Sequence, residues 1–226
     1  MGKWRDLGLR TASAVVLGPL VLAALWLGGF YFTLLLLVAT IGLAFEWAAL
    51  MAARPAGRAG AVARMLAGLF YILLPMAGLA FLRDDAAVGR INTLFLVLLV
   101  WATDIGAYVA GRALGGPKLA PAISPGKTIT GALGGLAAAL AVGIGAWALQ
   151  GGSIIRALGI AVALSVVAQL GDLGESALKR RLGVKDSGAS IPGHGGLFDR
   201  LDGLLAAAPL AALLALAAGA GVVLWG

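Results

Sequence analysis

The chain has 226 residues, 61% of them hydrophobic before glycine is counted and 12% charged. Soluble domains hold roughly 45–50% apolar residues with glycine included and about 25% charged ones, so a soluble globular fold and intrinsic disorder are both excluded. With no cysteine and a single histidine, His194, disulfide frameworks, Cys nucleophiles, iron–sulfur clusters and multi-histidine zinc sites are excluded too. The 17 Lys+Arg against 10 Asp+Glu, formally +7, suit nucleic acid, anionic lipid or membrane topology.

Seven apolar stretches are long enough to cross a bilayer core, which takes about 20 helical residues. They lie at 11–27, 30–51, 65–82, 91–114, 130–149, 154–170 and 204–225. The basic start and apolar run of the first resemble a signal peptide, but the second span follows after only Gly28 and Gly29, which favours a retained membrane hairpin. The expected fold is an all-α polytopic membrane protein of about seven transmembrane helices. Short cytoplasmic loops accumulate Lys and Arg. An N-terminus placed in the cytoplasm puts fourteen of the seventeen basic residues on that side, including Lys3, Arg5, Arg10 and Arg54, and leaves Arg83, Arg90 and Arg156 opposite. Topology therefore accounts for most of the positive charge.

Two of the cytoplasmic loops, 115–129 and 183–203, are rich in Gly, Pro, Lys and Asp. The expected organisation is a scaffold over residues 1–90, with possible oligomer contacts, and a chemistry-bearing region over 91–226. Any active site then lies at the cytoplasmic membrane face.

Carboxylates inside spans are costly and face a bundle interior or a watery cavity. Asp172, Glu175, Ser176 and Lys179 fall at i, i+3, i+4 and i+7, one face of a helix that should run past the membrane to about Leu182. Buried pairing of acids with lysine, or a functional site, both explain that stripe. The second loop adds Lys185, Asp186, His194, Asp199, Arg200 and Asp202, with Asp199 and Asp202 one turn apart at the start of the last helix. Carboxylates without cysteine suit hard cations, and Mg²⁺ with phosphate oxygens is the usual arrangement in nucleotide chemistry. Lys179, Arg180 and Lys185 suit phosphate oxygens, although Lys179–Arg180–Arg181 also reads as a positive-inside anchor. His194-Gly195-Gly196 suits either a structural hydrogen bond or a ligand contact.

In the first loop SPGKT, 124–128, lacks the earlier glycine and the preceding strand of a Walker A loop, since Pro121 stands where that glycine is needed. Ser124, Lys127 and Thr128 at a helix start suit either phosphate binding or simple N-capping. Asp104 shares a side of the fourth span with Trp101, Tyr108 and Gly111, and Gly131–Gly135 has GxxxG spacing that permits close helix contact. Glu46, near the inner end of the second span, reads as a snorkelling carboxylate outside the core site.

The run SALKRRLGVKDSGASIPGHGGLFDRLD, 176–202, resembles the signature of phosphatidate cytidylyltransferases, also called CDP-diacylglycerol synthases. Its fixed positions are met by Ser176, Lys179, Arg180, Lys185, Asp186, Pro192, His194, Gly195, Gly196, Asp199, Arg200 and Asp202. WATDIGAYVAGR, 101–112, and SPGKT are similar to further segments of that family. The resemblance covers roughly the C-terminal 125 residues; the first hundred match only as membrane spans, in a chain shorter than typical members.

The resemblance implies condensation of CTP with phosphatidate to CDP-diacylglycerol and pyrophosphate in a bacterial inner membrane, dependent on Mg²⁺, with a second cation as a further candidate. It implies catalytic roles for Asp172, Lys179, Arg180, Lys185, Asp199 and Asp202. Metal binding falls to Asp172, Asp199 and Asp202, with Asp104 and Glu175 as further candidates. Nucleotide and phosphate contacts fall to Ser124, Lys127, Thr128, Lys179, Arg180, Lys185, His194 and Arg200. Membrane lipids and a homodimer are the expected partners, and nucleic acid is not. Rival readings are a CTP-dependent lipid kinase, a cytidylyltransferase for another lipid phosphate, and an ion-coupled transporter.

Overall fold

The structure, a computed structural model, describes residues 2–52, 57–188, 190 and 195–226, with side chains from residue 15 onward. Arg54, Pro192 and His194, and the side chains of Lys3, Arg5 and Arg10, lie outside what is described.

The described residues form seven helices in succession: α1 Gly2–Leu27, α2 Gly29–Ala52, α3 Arg58–Asp84, α4 Gly89–Leu114, α5 Ile129–Gln150, α6 Ile154–Leu182 and α7 Phe198–Ala218. Among the described residues, α2 to α7 are long and apolar enough to cross a membrane, whereas the apolar part of α1 that can be assessed, Val15–Leu27, is shorter than a span. The fold is that of a polytopic helical membrane protein. The all-α expectation needs one correction: residues 115–129 are not a plain loop. They hold an antiparallel hairpin of β1 Lys118–Ala120 and β2 Ser124–Thr128, with Lys118 opposite Thr128 and Ala120 opposite Ser124.

Helices α1 and α2 meet at Gly28, whose φ of +66° suits a residue without Cβ. The freed carbonyls at the end of α1 are taken by Arg83 of α3, whose Nε donates to Leu25 O at 2.7 Å. Helix α6 runs to Leu182, as its polar stripe predicts, and stops at Gly183 in the left-handed region.

Glycine sets the closest approach in the bundle, between α4 and α5. A Cβ added at Gly134 would lie 2.8 Å from Gly106 O, and one at Gly135 would lie 2.8 Å from Thr103 O. The 131–135 spacing therefore works as a close-packing face. Gly134→Val should force backbone apart and cost about 1–3 kcal/mol by overpacking, read as a lower melting temperature in detergent.

The last apolar stretch, expected as one span over 204–225, is split. Helix α7 starts earlier, at Phe198, and ends at Ala218, where Gly219 takes a φ of +93°. The remaining residues fold back and plug the bundle end at the start of α4 and α6. Trp225 is fully buried there, its ring 4.7 Å from that of Phe95, and Leu224 N donates to Asn92 Oδ1 at 3.0 Å.

Asp85, between α3 and α4, ties down this plug. Its carboxylate accepts Gly221 N at 2.6 Å and the amides of Ala87 and Val88, each at 2.9 Å. These bonds, that from Gly221 foremost, hold its pKa below the ordinary carboxylate value. A depressed folded pKa contributes stability above the unfolded pKa, and that contribution disappears as pH falls through the folded one. Asp85→Asn should therefore melt earlier than wild type at neutral pH, with the gap closing as acid protonates Asp85; a gap independent of pH would contradict this.

Candidate active site

The C-terminal ends of α4 and α6, the N-terminal ends of α5 and α7 and the hairpin enclose a cavity of about 730 Å³. Six carboxylates (Asp104, Asp172, Glu175, Asp186, Asp199 and Asp202) and four cationic side chains (Arg112, Lys127, Lys179 and Arg200) line it. Such a mixture suits a ligand carrying both metal and phosphate.

Helix α6 supplies Asp172, Glu175 and Lys179 from successive turns of one face, as their spacing predicts. Helix α7 supplies Asp202, opposite them. Single carboxylate oxygens of Asp172, Glu175 and Asp202 all lie within 4.8 Å of one another. Charges of one sign so close repel strongly out of bulk water. Glu175 Oε1 is buried with no hydrogen-bond partner, an acceptor that a bound cation would satisfy. Oxygen donors without nitrogen or sulfur match the preference of Mg²⁺, so the residues present fit that ion.

Asp199 is placed differently from its neighbour one turn on. Its carboxylate pairs with Lys179 Nζ and accepts Gly196 N at 2.9 Å and Ser187 N at 3.1 Å. The group of three converging carboxylates thus contains Glu175 in the position where the sequence suggests Asp199. Lys179 lies between the two, with Glu175 Oε2 2.9 Å away. Asp104 lines the same cavity, outside that group.

The hairpin delivers Lys127, whose Nζ lies 2.6 Å from Asp172 Oδ2. Thr128 is the N-cap of α5, its Oγ1 accepting Gly131 N at 3.0 Å, and it also lines the cavity. Among the described residues, Arg180, Lys185 and Ser124 lie outside the cavity wall; Arg180 Nε instead donates to Ile123 O of the hairpin tip at 3.3 Å. SPGKT forms a strand, in keeping with its mismatch to a Walker A loop.

The residue that sequence reasoning set aside is Glu46. It is buried rather than snorkelling, and it accepts hydrogen bonds from Leu197 N, Phe198 N and Ser187 Oγ. A lone in-span carboxylate was its one local signal.

Six membrane-length helices around a cavity of clustered carboxylates and lysines define a helical membrane protein with a polar site built into one end. The chain belongs to the cytidylyltransferase family, whose sequence model matches residues 56–217. It is similar to a phosphatidate cytidylyltransferase of Brucella suis biovar 1 (strain 1330), 39% identical over 252 aligned positions covering 91% of this chain and 92% of that protein. A phosphatidate cytidylyltransferase of Rickettsia bellii (strain RML369-C) is 39% identical over 214 positions, 91% of this chain and 89% of that one. One of Staphylococcus saprophyticus is 43% identical over 147 positions, covering 61% and 54%. The likeness thus reaches well beyond the C-terminal 125 residues that carry the motifs.

Proposed function

We propose that this chain transfers the cytidylyl group of CTP to phosphatidate, giving CDP-diacylglycerol and pyrophosphate, at the cytoplasmic face of a bacterial inner membrane. The observation that carries this reading is the convergence of Asp172, Glu175 and Asp202 beside Lys127 and Lys179 in one cavity. The names of the relatives and the basic residues at the helix ends around that cavity support the substrate and the membrane side.

A phosphatidate oxygen is anionic at neutral pH and needs no nucleophilic side chain. It attacks the α-phosphorus of CTP while the bond to the bridging oxygen of the β-phosphate breaks, and the electron pair leaves on pyrophosphate. The protein has to align the two anions and compensate their charge. Lys179, Lys127 and Arg200 face the cavity and hold phosphate oxygens. Asp199 accepts two backbone amides and keeps Lys179 in place. Asp172, Glu175 and Asp202 would hold Mg²⁺, with Asp104 of the same cavity as a further candidate. When bound, the ion orients the triphosphate and neutralises charge on the leaving group. Arg180, Lys185, Ser124, Thr128 and His194 stay assigned to nucleotide contacts. Residues 1–90 act as the scaffold, and a homodimer is the proposed assembly. Tyr108 and Leu119 line the cavity and are exposed, a wall through which lipid can enter from the bilayer.

The test is a substrate panel with purified protein: CTP with phosphatidate, with polyprenyl phosphate or with an ether-lipid phosphate, each with and without Mg²⁺. Product from phosphatidate with Mg²⁺ supports the reading. Product from another lipid phosphate alone would replace it.

A further inference from the structure

We infer that Glu46 of α2 is a positioning residue for this reaction: its carboxylate holds residues 187 and 196–198 in the register that delivers Asp199 to Lys179. The inference rests on the cytidylyl-transfer reading, yet Glu46 touches none of the groups assigned to metal or phosphate.

The contacts form an unbroken path. Glu46 Oε1 accepts Leu197 N at 2.6 Å, while Oε2 accepts Phe198 N at 2.9 Å and Ser187 Oγ at 3.0 Å. One carboxylate thereby ties Ser187, a few residues past α6, to Leu197 and Phe198, and satisfies amides at the start of α7 that lack helical partners. The backbone held in this way serves Asp199 directly, because Ser187 N and Gly196 N donate to its carboxylate. Asp199 pairs with Lys179, and Lys179 with Glu175 of the metal group.

The surroundings are shaped around this carboxylate. A Cβ at Gly196 would stand 2.7 Å from Glu46 Oε2, and one at Gly188 would stand 3.2 Å from Glu46 Cδ. Phe198 stacks on Tyr71 of α3 with centroids 5.9 Å apart and packs on Trp47 at 6.0 Å. Leu197 fits against Gly42, where a Cβ would approach its Cδ2 to 2.9 Å. Helices α2 and α3 thus form a socket for the first residues of α7. Aromatic packing alone anchors a helix end. A buried carboxylate, which costs several kcal/mol to desolvate, adds what an apolar socket lacks: acceptors that fix two successive amides and a hydroxyl in direction.

Glu46→Gln tests this with little change in size. Whichever way the amide is turned, its NH₂ faces a backbone N–H, of Leu197 or of Phe198. On protein that melts and elutes like wild type, KM for CTP and the half-saturating Mg²⁺ concentration should each rise about tenfold or more, with kcat/KM down about a hundredfold. Amide hydrogen exchange over 196–199 should accelerate while that in α4 and α5 stays unchanged. A fall in kcat alone, with KM and metal requirement unchanged, would mark a merely structural residue and overturn the inference, as would wild-type exchange over 196–199. If the variant does not fold, Ser187→Ala removes one of the three contacts; it should raise KM for CTP about threefold and speed exchange at Phe198, and unchanged values overturn the inference. A wild-type protein that transfers no cytidylyl group defeats the proposed function, whereas the exchange result decides the clamp on its own.

Discussion

Asp202→Asn is expected to lower kcat by about a thousandfold or more while leaving the fold intact or more stable. Single donors or metal-orienting groups acting on developing charge at a water-poor centre are each worth about a hundred- to a thousandfold, and here one of three converging oxygens would be lost. The stability side has the opposite sign. Asp172, Glu175 and Asp202 repel one another across less than 4.8 Å, and a neutral amide removes two of those repulsions. Asn keeps the oxygen that accepts Gly203 N at 2.7 Å, so the start of α7 loses nothing. Melting temperature of the metal-free protein, and turnover of the same preparation once Mg²⁺ is added, check the two halves. Retention of more than about a tenth of wild-type kcat would remove Asp202 from the metal group.

Lys179→Met should be as damaging to turnover, yet it should destabilise the protein. Lys179 is the buried cation between Glu175 and Asp199, and taking one partner from a buried pair costs about 3–5 kcal/mol because the remaining charge stays desolvated. Methionine fills the volume of the stem, so the loss reports charge rather than packing. Arginine should not rescue, since its planar fork cannot take the place of a compact ammonium held between two carboxylates. A Lys179→Met protein melting at the wild-type temperature would mean that Glu175 and Asp199 do not depend on this lysine. The opposite stability signs of the two variants separate a repulsive metal group from the ion pair supporting it.

Much of this layout is legible in the chain. Hydropathy locates α2 to α7 because a bilayer demands long apolar runs, and the i, i+3, i+7 positions of Asp172, Glu175 and Lys179 put them on one face before any coordinate is known. What escapes has definite physical causes. Val222, Leu224 and Trp225 are as apolar in a folded-back plug as in a helix, so composition alone does not stop α7 at Gly219. The hairpin over 118–128 is set by pairing of a Pro- and Gly-containing segment with itself, against α6, and not by alternation along a strand. Asp199 and Asp202 share a helix face, but backbone amides of residues 187 and 196 claim the first of them. Glu46 is the clearest case, because its partners lie 141 to 152 positions away and no local pattern reports such contacts.

In the proposed reaction CTP gives up its cytidylyl group, and not its terminal phosphate, to phosphatidate in this cavity. Purified protein and phosphatidate incubated with Mg²⁺ and CTP labelled either at the α- or at the γ-phosphate distinguish the two transfers. The α-label should appear in the lipid product and the γ-label in released pyrophosphate. Lipid carrying γ-label, with CDP released, would contradict it.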